Sequence, residues 1–251
     1  MAGHSKWAQI KHQKGVTDVR RGQLFTKLAR EIAVAVRQGG PDPDANYRLR
    51  LAVQKAKDNN MPMDNIERAI RRAAGGETQE ALEEVIYEGY GPGGVAILAQ
   101  ALTDNRNRTV SEVRSVLSKA GGSLGESGSV AWNFEAKGVI TLEVEPSRAE
   151  DVALLSIDAG ADDVKIEGGY IEVYTPVDRL EQVRKELEDK GVAAKSAEIS
   201  MVPKTMVPLD AQRAVQVLKL MDALEELADI QKVYCNADFP EQVLEQYRQE
   251  G

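Results

Sequence analysis

Lysine and arginine are the residues whose placement carries chemistry in this 251-residue chain. Residues 1–76 hold six Lys and nine Arg against seven Asp and Glu, whereas the rest of the chain holds 17 basic against 33 acidic side chains. The formal net charge of −8 therefore conceals a segment at +8 joined to one at −16. Lys6, Lys11, Lys14, Arg20 and Arg21 cluster at the start with Trp7 among them, and Asp18 is the single acidic residue in positions 1–30. Surfaces of mixed sign solubilise a protein, while surfaces of one sign attract counter-polymers. A basic arm on an acidic body points to contact with a polyanion, most often nucleic acid. The acidic body is repelled by the same polymer, so binding should be oriented. Trp7 is placed either to stack on a base or to anchor the tail.

A second cationic site is smaller. Asn105-Arg106-Asn107-Arg108-Thr109 lies between a predicted strand and a predicted helix, for which Thr109 and Glu112 have the spacing of a capping box. Arg106 and Arg108 stand as isolated cations in an acidic region, beside helix N–H groups that favour anions. The same residues also suit a turn with no ligand at all.

Other chemistries find little support. With one Cys (Cys235) and two His (His4 and His12), no His/Cys metal site can be assembled, and no Ser-His-Asp or Cys-His machine is evident. We therefore expect no enzyme, metal, cofactor or small-molecule substrate. Gly89, Gly91 and Gly94 match G-x-G-x-x-G, but the segment that follows reads as strand, where a dinucleotide fingerprint needs a helix. A hairpin turn is the expectation there. No P-loop motif occurs. No apolar run reaches the ~18–20 residues that span a bilayer, and the N-terminus lacks a signal-peptide h-region. A lone cysteine fits a reducing cytoplasm and reads as a buried thiol.

The elements that must position these residues are legible from periodicity. Leu24, Phe25, Leu28, Ile32, Ala35 and Val36 share one face of a helix starting near Thr17, which sets Arg20, Lys27, Arg30 and Arg37 on the opposite face. A second helix spans about 45–58, with Leu49, Ala52, Val53 and Ala56 as its apolar stripe. A third follows Pro62, with Asp64 and Glu67 as a capping box, Ile66, Ala69, Ile70 and Ala73 inward and Arg68, Arg71 and Arg72 outward. Beyond Glu77 the pattern becomes strand (85–90), strand (95–102), helix (109–119) and strand (129–134). Residues 138–201 then read βαββαβ, the ferredoxin-like order. A final helix (211–227) and strand (230–236) have no sheet of their own. The simplest solution is an α+β chain of three domains: an N-terminal three-helix bundle (1–76), a discontinuous α/β sandwich (77–136 plus 205–251) and an inserted ferredoxin-like α/β sandwich (137–204).

Longer strings carry a family likeness. Gly3-His4-Ser5-Lys6-Trp7, Ile10-Lys11-His12 and Arg21-Gly22 with Phe25-Thr26-Lys27-Leu28 resemble the opening of the YebC/PmpR family. So do Asn60-Met61-Pro62 with Asn65–Ile70, Tyr87–Gly94 and Thr103–Thr109. The resemblance spans nearly the whole chain and is densest over 3–134. It implies a three-domain cytoplasmic protein described as a probable DNA-binding transcriptional regulator. The family's mitochondrial relatives are translational activators of cytochrome c oxidase, so the alternative is a ribosome-associated translation factor contacting rRNA or tRNA. Either way the partner is nucleic acid rather than membrane, and the expected contacts are Lys6, Trp7, Lys11, Lys14, Arg20, Arg21, Lys27, Arg30, Arg37, Arg106 and Arg108. No sequence feature reports the oligomeric state or the target sequence.

Overall fold

The computed structural model of the protein describes residues 18–75 and 82–249. Phe134–Val202 forms one compact unit, and the remaining described residues form another. The second of these begins with three helices, α1 (Asp18–Gly39), α2 (Tyr47–Asp58) and α3 (Met63–Ala74). Leu28, Ile32, Ala35 and Val36 of α1 meet Leu49, Ala52, Val53 and Ala56 of α2 and Ile66 and Ala73 of α3 in one core. Burying such a stripe stabilises the bundle by about 25 cal/mol per Å² of apolar surface.

One buried amide closes the first corner. The Asn46 Oδ1 caps α2 by accepting from the Leu49 N–H at 3.0 Å, and its Nδ2 donates to the carbonyls of Ala35 and Gly40 at 2.7 and 2.8 Å. The expected cap at Asp64 is displaced. Pro62 is the N-cap of α3, its extended carbonyl accepting from Asn65 and Ile66. Asp64 falls in the first turn instead, where its charge suits the helix dipole.

After the bundle the chain runs through β1 (Glu83–Tyr90), β2 (Ala96–Thr103), α4 (Arg106–Lys119) and β3 (Ser123–Leu124). It then builds β4 (Phe134–Glu143), α5 (Ala149–Asp158), β5 (Asp163–Glu167), β6 (Tyr170–Thr175), α6 (Leu180–Asp189) and β7 (Ala194–Pro203). It returns through β8 (Val207–Pro208), α7 (Ala211–Glu225), β9 (Ile230–Cys235), β10 (Ala237–Asp238) and α8 (Glu241–Gln249).

The first sheet has the order β3-β1-β2-β9. The antiparallel β1–β2 hairpin runs from Glu83↔Thr103 to Tyr90↔Ala96, and β9 pairs antiparallel with the far edge of β2 from Ile97↔Cys235 to Ala101↔Ile230. Strand β9 thus joins the sheet containing 95–102. Helices α4 and α7 pack Val113, Leu117, Val217 and Met221 onto Tyr87, Ile97, Ala99 and Val233. Cys235 lies in this core, where burial pushes its thiol up to about 12. Such a thiol is inert.

Two parts of this region depart from the sequence reading. The expected strand at 129–134 is a loop closed by a 3-10 turn at Ala131–Asn133, and only Phe134 enters β4. The reason is tertiary: the buried carboxylate of Glu88 accepts the N–H groups of Gly128, Val130 and Ala131 at 2.6, 2.8 and 2.8 Å, so they cannot enter a ladder. The short parallel pair β8–β10 and helix α8 were not expected either. Val243 and Leu244 of α8 enter the core, and the Tyr247 hydroxyl bonds Asp222.

The unit 134–202 has the order β5-β6-β4-β7, the ferredoxin-like arrangement of a βαββαβ chain. Ile140, Leu142, Val152, Ile171, Val173, Leu180, Val183 and Leu187 form its core. Both of its helices begin with a 3-10 turn, at Pro146–Arg148 and Val177–Arg179. No described helix is long and apolar enough to cross a membrane.

Candidate nucleic-acid interface

The candidate contact residues of the sequence reading fall into four groups. Lys6, Trp7, Lys11 and Lys14 lie outside the described residues, and Arg20 is placed only by its backbone in the first turn of α1. Arg21 and Arg37 are exposed on α1. Lys27 and Arg30 are turned toward the sheet domain. Lys27 Nζ donates to the Glu225 carbonyl at the end of α7, and Arg30 donates to the Ala228 carbonyl at 2.7 Å and to Asp229 at 3.1 Å. These two side chains tie α1 to the α7–β9 turn.

Arg106 and Arg108 are not isolated cations. The helix α4 begins at Arg106, capped by Asn105, whose Oδ1 accepts from the Arg108 N–H at 3.0 Å. Thr109, the expected cap, instead lies inside the helix and is fully buried. Asn105 wins because it stands one residue before the helix while Thr109 is drawn to a buried carboxylate. Arg106 pairs with Glu83 at 2.5 Å, and Arg108 with Asp104 at 2.7 Å and Asp229 at 2.6 Å. Arg106 thus faces one carboxylate and Arg108 two.

Asp229 is the hub that sequence reading missed. It is 2% exposed, and its carboxylate accepts from Arg108, from Thr109 Oγ1 at 2.7 Å, from Thr103 Oγ1 at 3.1 Å and from Arg30. Burial pushes the carboxyl up, but the hydrogen bonds from Arg108, Thr109 and Thr103 and the Arg108 charge outweigh it and hold Asp229 below the usual carboxylate range. A single Asp between an apolar helix and an apolar strand was its only sequence signal.

The outward arginines of α3 gain weight by contrast. Arg68, Arg71 and Arg72 are exposed, and among the described residues only Arg71 is drawn to a carboxylate, Glu67 at 3.6 Å. On α2, Arg50 and Lys57 are exposed, Arg50 lying 5.9 Å from the Tyr47 ring centre. The 3.6-residue period had set these arginines of α3 on its outer face, so the signal was there to use.

The glycine-rich string closes the β1–β2 hairpin with a 3-10 turn at Pro92–Gly94, in which Gly93 and Gly94 take φ of +79° and +76°. Strand β2 follows at once, so no helix N-terminus is aimed at a pyrophosphate there.

Residues 5–76 match the TACO1/YebC protein N-terminal domain, and residues 82–237 match the TACO1/YebC second and third domain. The chain belongs to the TACO1/YebC family. Among TACO1/YebC relatives, a probable transcriptional regulatory protein of Dehalococcoides mccartyi is 57% identical over 251 residues, covering 100% of both chains. One of Herpetosiphon aurantiacus is 50% identical over 252 residues, again covering 100% of both. A conserved hypothetical protein of known crystal structure from Aquifex aeolicus matches with a TM-score of 0.81 at 48% identity, covering 89% of this chain and 93% of that one. In this TACO1/YebC chain the exposed arginines of α3 fall within the N-terminal match, and Arg106 and Arg108, paired with Glu83 and Asp229, fall within the second.

The Glu88 anchor yields a stability prediction. Burial raises its carboxyl, but the three backbone N–H groups outweigh that and hold it below the usual range. Glu88→Gln should cost about 2 kcal/mol, since a charged acceptor is replaced by a neutral one in a buried site. Chemical denaturation at neutral pH measures it. A folded-state value below the unfolded one gives stability present above the usual carboxylate range and lost as pH falls through the lowered value. The Gln variant should therefore show a shallower acid limb.

Proposed function

We propose that this protein is a non-enzymatic, nucleic-acid-binding regulator of transcription, acting in the cytoplasm and holding duplex DNA through its basic N-terminal domain. The observation that carries the reading is the charge separation: +8 over residues 1–76 against −16 beyond them. Within the second part, Arg106 and Arg108 are engaged by carboxylates, whereas Arg68 and Arg72 on α3 are exposed and meet none among the described residues. The relatives' shared name, probable transcriptional regulatory protein, supports the regulatory half of the reading. Contacts from Lys6, Lys11, Lys14, Arg20, Arg21, Arg37, Arg68 and Arg72 to phosphate would position the protein without reading sequence.

The test is made in cells. Cross-linking and recovery of the tagged protein should enrich particular DNA segments over input, and deleting its gene should change transcripts next to those segments. Recovery with ribosomes in a DNase-resistant, RNase-sensitive form, with no DNA segment enriched, would overturn the transcriptional reading in favour of translation.

A further inference from the structure

A pair of exposed aromatic rings in the sheet domain has no role in the reading above. Trp132 is 68% exposed, the most exposed large apolar side chain among the described residues, and Tyr90 beside it is 39% exposed. Neither is loose. The Ser129 carbonyl accepts from both, Trp132 Nε1 at 3.0 Å and the Tyr90 hydroxyl at 3.0 Å. The loop that carries this carbonyl is pinned by Glu88 through the N–H groups on either side of it. The polar ends of both rings are thus tied back, while much of their surface is left in water. The rotamer entropy that binding would otherwise cost is already spent in folding.

The rings border a shallow groove also lined by Gly94, Ala96, Val130 and Val207. Its amides are committed internally: Asn133 and Asn236 each donate to the Thr205 carbonyl at 3.0 Å, and their oxygens accept from the Thr205 and Ala96 N–H groups. Gly94, at positive φ, leaves open space where a side chain would stand. At the rim Lys204 donates its Nζ to the backbone carbonyl of Trp132 at 3.2 Å, which brings a cation to the residue that carries the indole.

We propose that Trp132 and Tyr90 form a stacking platform for an unpaired base of an RNA strand, with Lys204 facing the adjoining phosphate. Stacking on aromatic rings with a nearby cation is how single strands are held without sequence readout. A peptide suits it less. Each peptide residue brings a carbonyl that needs a donor, and the donors of both rings are occupied by Ser129. DNA in duplex form keeps its bases stacked inside, whereas RNA loops splay them outward. The proposal builds on nucleic acid being the protein's partner, and it adds a second contact point in the acidic part of the chain, where ring stacking and Lys204, not net charge, would hold the strand.

Full-length protein is titrated with a short unstructured RNA, single-stranded DNA of the same sequence, duplex DNA, and a proline-rich peptide. With Trp7→Phe in the background, Trp132 is the one tryptophan left of two, and saturable quenching by the RNA reports stacking. Trp132→Ala should weaken RNA binding about 5- to 150-fold, the equivalent of about 1–3 kcal/mol per stacked base, and leave duplex affinity unchanged. Trp132→Phe should recover most of the loss. Unchanged RNA affinity in Trp132→Ala, with duplex binding intact, would overturn the platform and leave the functional reading standing. Quenching by the peptide or by single-stranded DNA alone would overturn it as an RNA site. If the unmodified protein binds no nucleic acid, both readings fall.

Discussion

Replacing Lys11, Lys14, Arg20 and Arg21 by Glu is expected to lower affinity for duplex DNA and to flatten its salt dependence by about three to four units of log K per log salt. Each phosphate neutralised by a cation releases condensed counterions and contributes a slope of roughly −0.9 on duplex DNA. Four lost contacts therefore give the stated change, and different sequences should weaken about equally, because phosphate contacts carry no base information. The structure supplies an internal control. Lys27 and Arg30 are held by the α7–β9 turn, so Lys27→Ala and Arg30→Ala should leave the slope nearly unchanged while lowering the melting temperature. Arg68→Glu with Arg72→Glu should flatten it by about two units if both meet phosphate. Binding measured across a salt series checks all three; a slope identical to that of the unmodified protein in the fourfold variant would mean that these residues form only a solvated face.

Asp229→Ala should destabilise the sheet domain by about 3 kcal/mol or more. The substitution leaves the Thr103 and Thr109 hydroxyls without their buried acceptor and Arg108 without its shorter carboxylate contact, and breaking one side of a buried charge pair costs about 3–5 kcal/mol. Three kcal/mol corresponds to roughly 6–12 °C in melting temperature for a chain of this size. Because Asp229 is held below the usual carboxylate range, its contribution is fully present above that range and is lost as pH falls through the lowered value. Asp229→Asn, which keeps the shape, should lose less at neutral pH and should remove part of the acid sensitivity. Denaturant melts of the three proteins from neutral pH down to about 3 provide the measurement, and an Asp229→Ala protein as stable as the parent would show the hub to be dispensable.

The bundle was legible because its signal is local. Leu49, Ala52, Val53 and Ala56 recur at helical spacing, and all four are buried in α2. The place of β9 was legible by elimination, since a lone αβ tail needs a sheet. Caps were less so: in Asn105-Arg106-Asn107-Arg108-Thr109 three residues can cap, and the choice fell to Asn105 because Asp229, 120 residues away, claims the Thr109 hydroxyl. The loop at 129–133 looked like strand for the same reason, its N–H groups being claimed by a carboxylate 40 or more residues earlier. The helical period set Arg20, Lys27, Arg30 and Arg37 together on one face of α1. The sequence did not say that part of this face docks onto Glu225, Ala228 and Asp229, because those partners lie about 200 residues away. Trp132 passed unnoticed, since nothing in its neighbours marks it as exposed.

The division of the first sheet between two distant stretches of chain sets an order of events at synthesis. Strand β2 emerges long before β9, with the whole of 134–202 made in between. At roughly 5–20 residues per second, β2 waits about 6–25 s for the partner that covers its edge. During that interval the edge is apolar and uncharged, Ala96-Ile-Leu-Ala-Gln-Ala-Leu-Thr103, the kind of strand that pairs with other chains. A product ending before residue 230 never closes that edge. Prematurely terminated copies should thus collect in inclusion bodies, while a chain that reaches β9 seals the sheet from within.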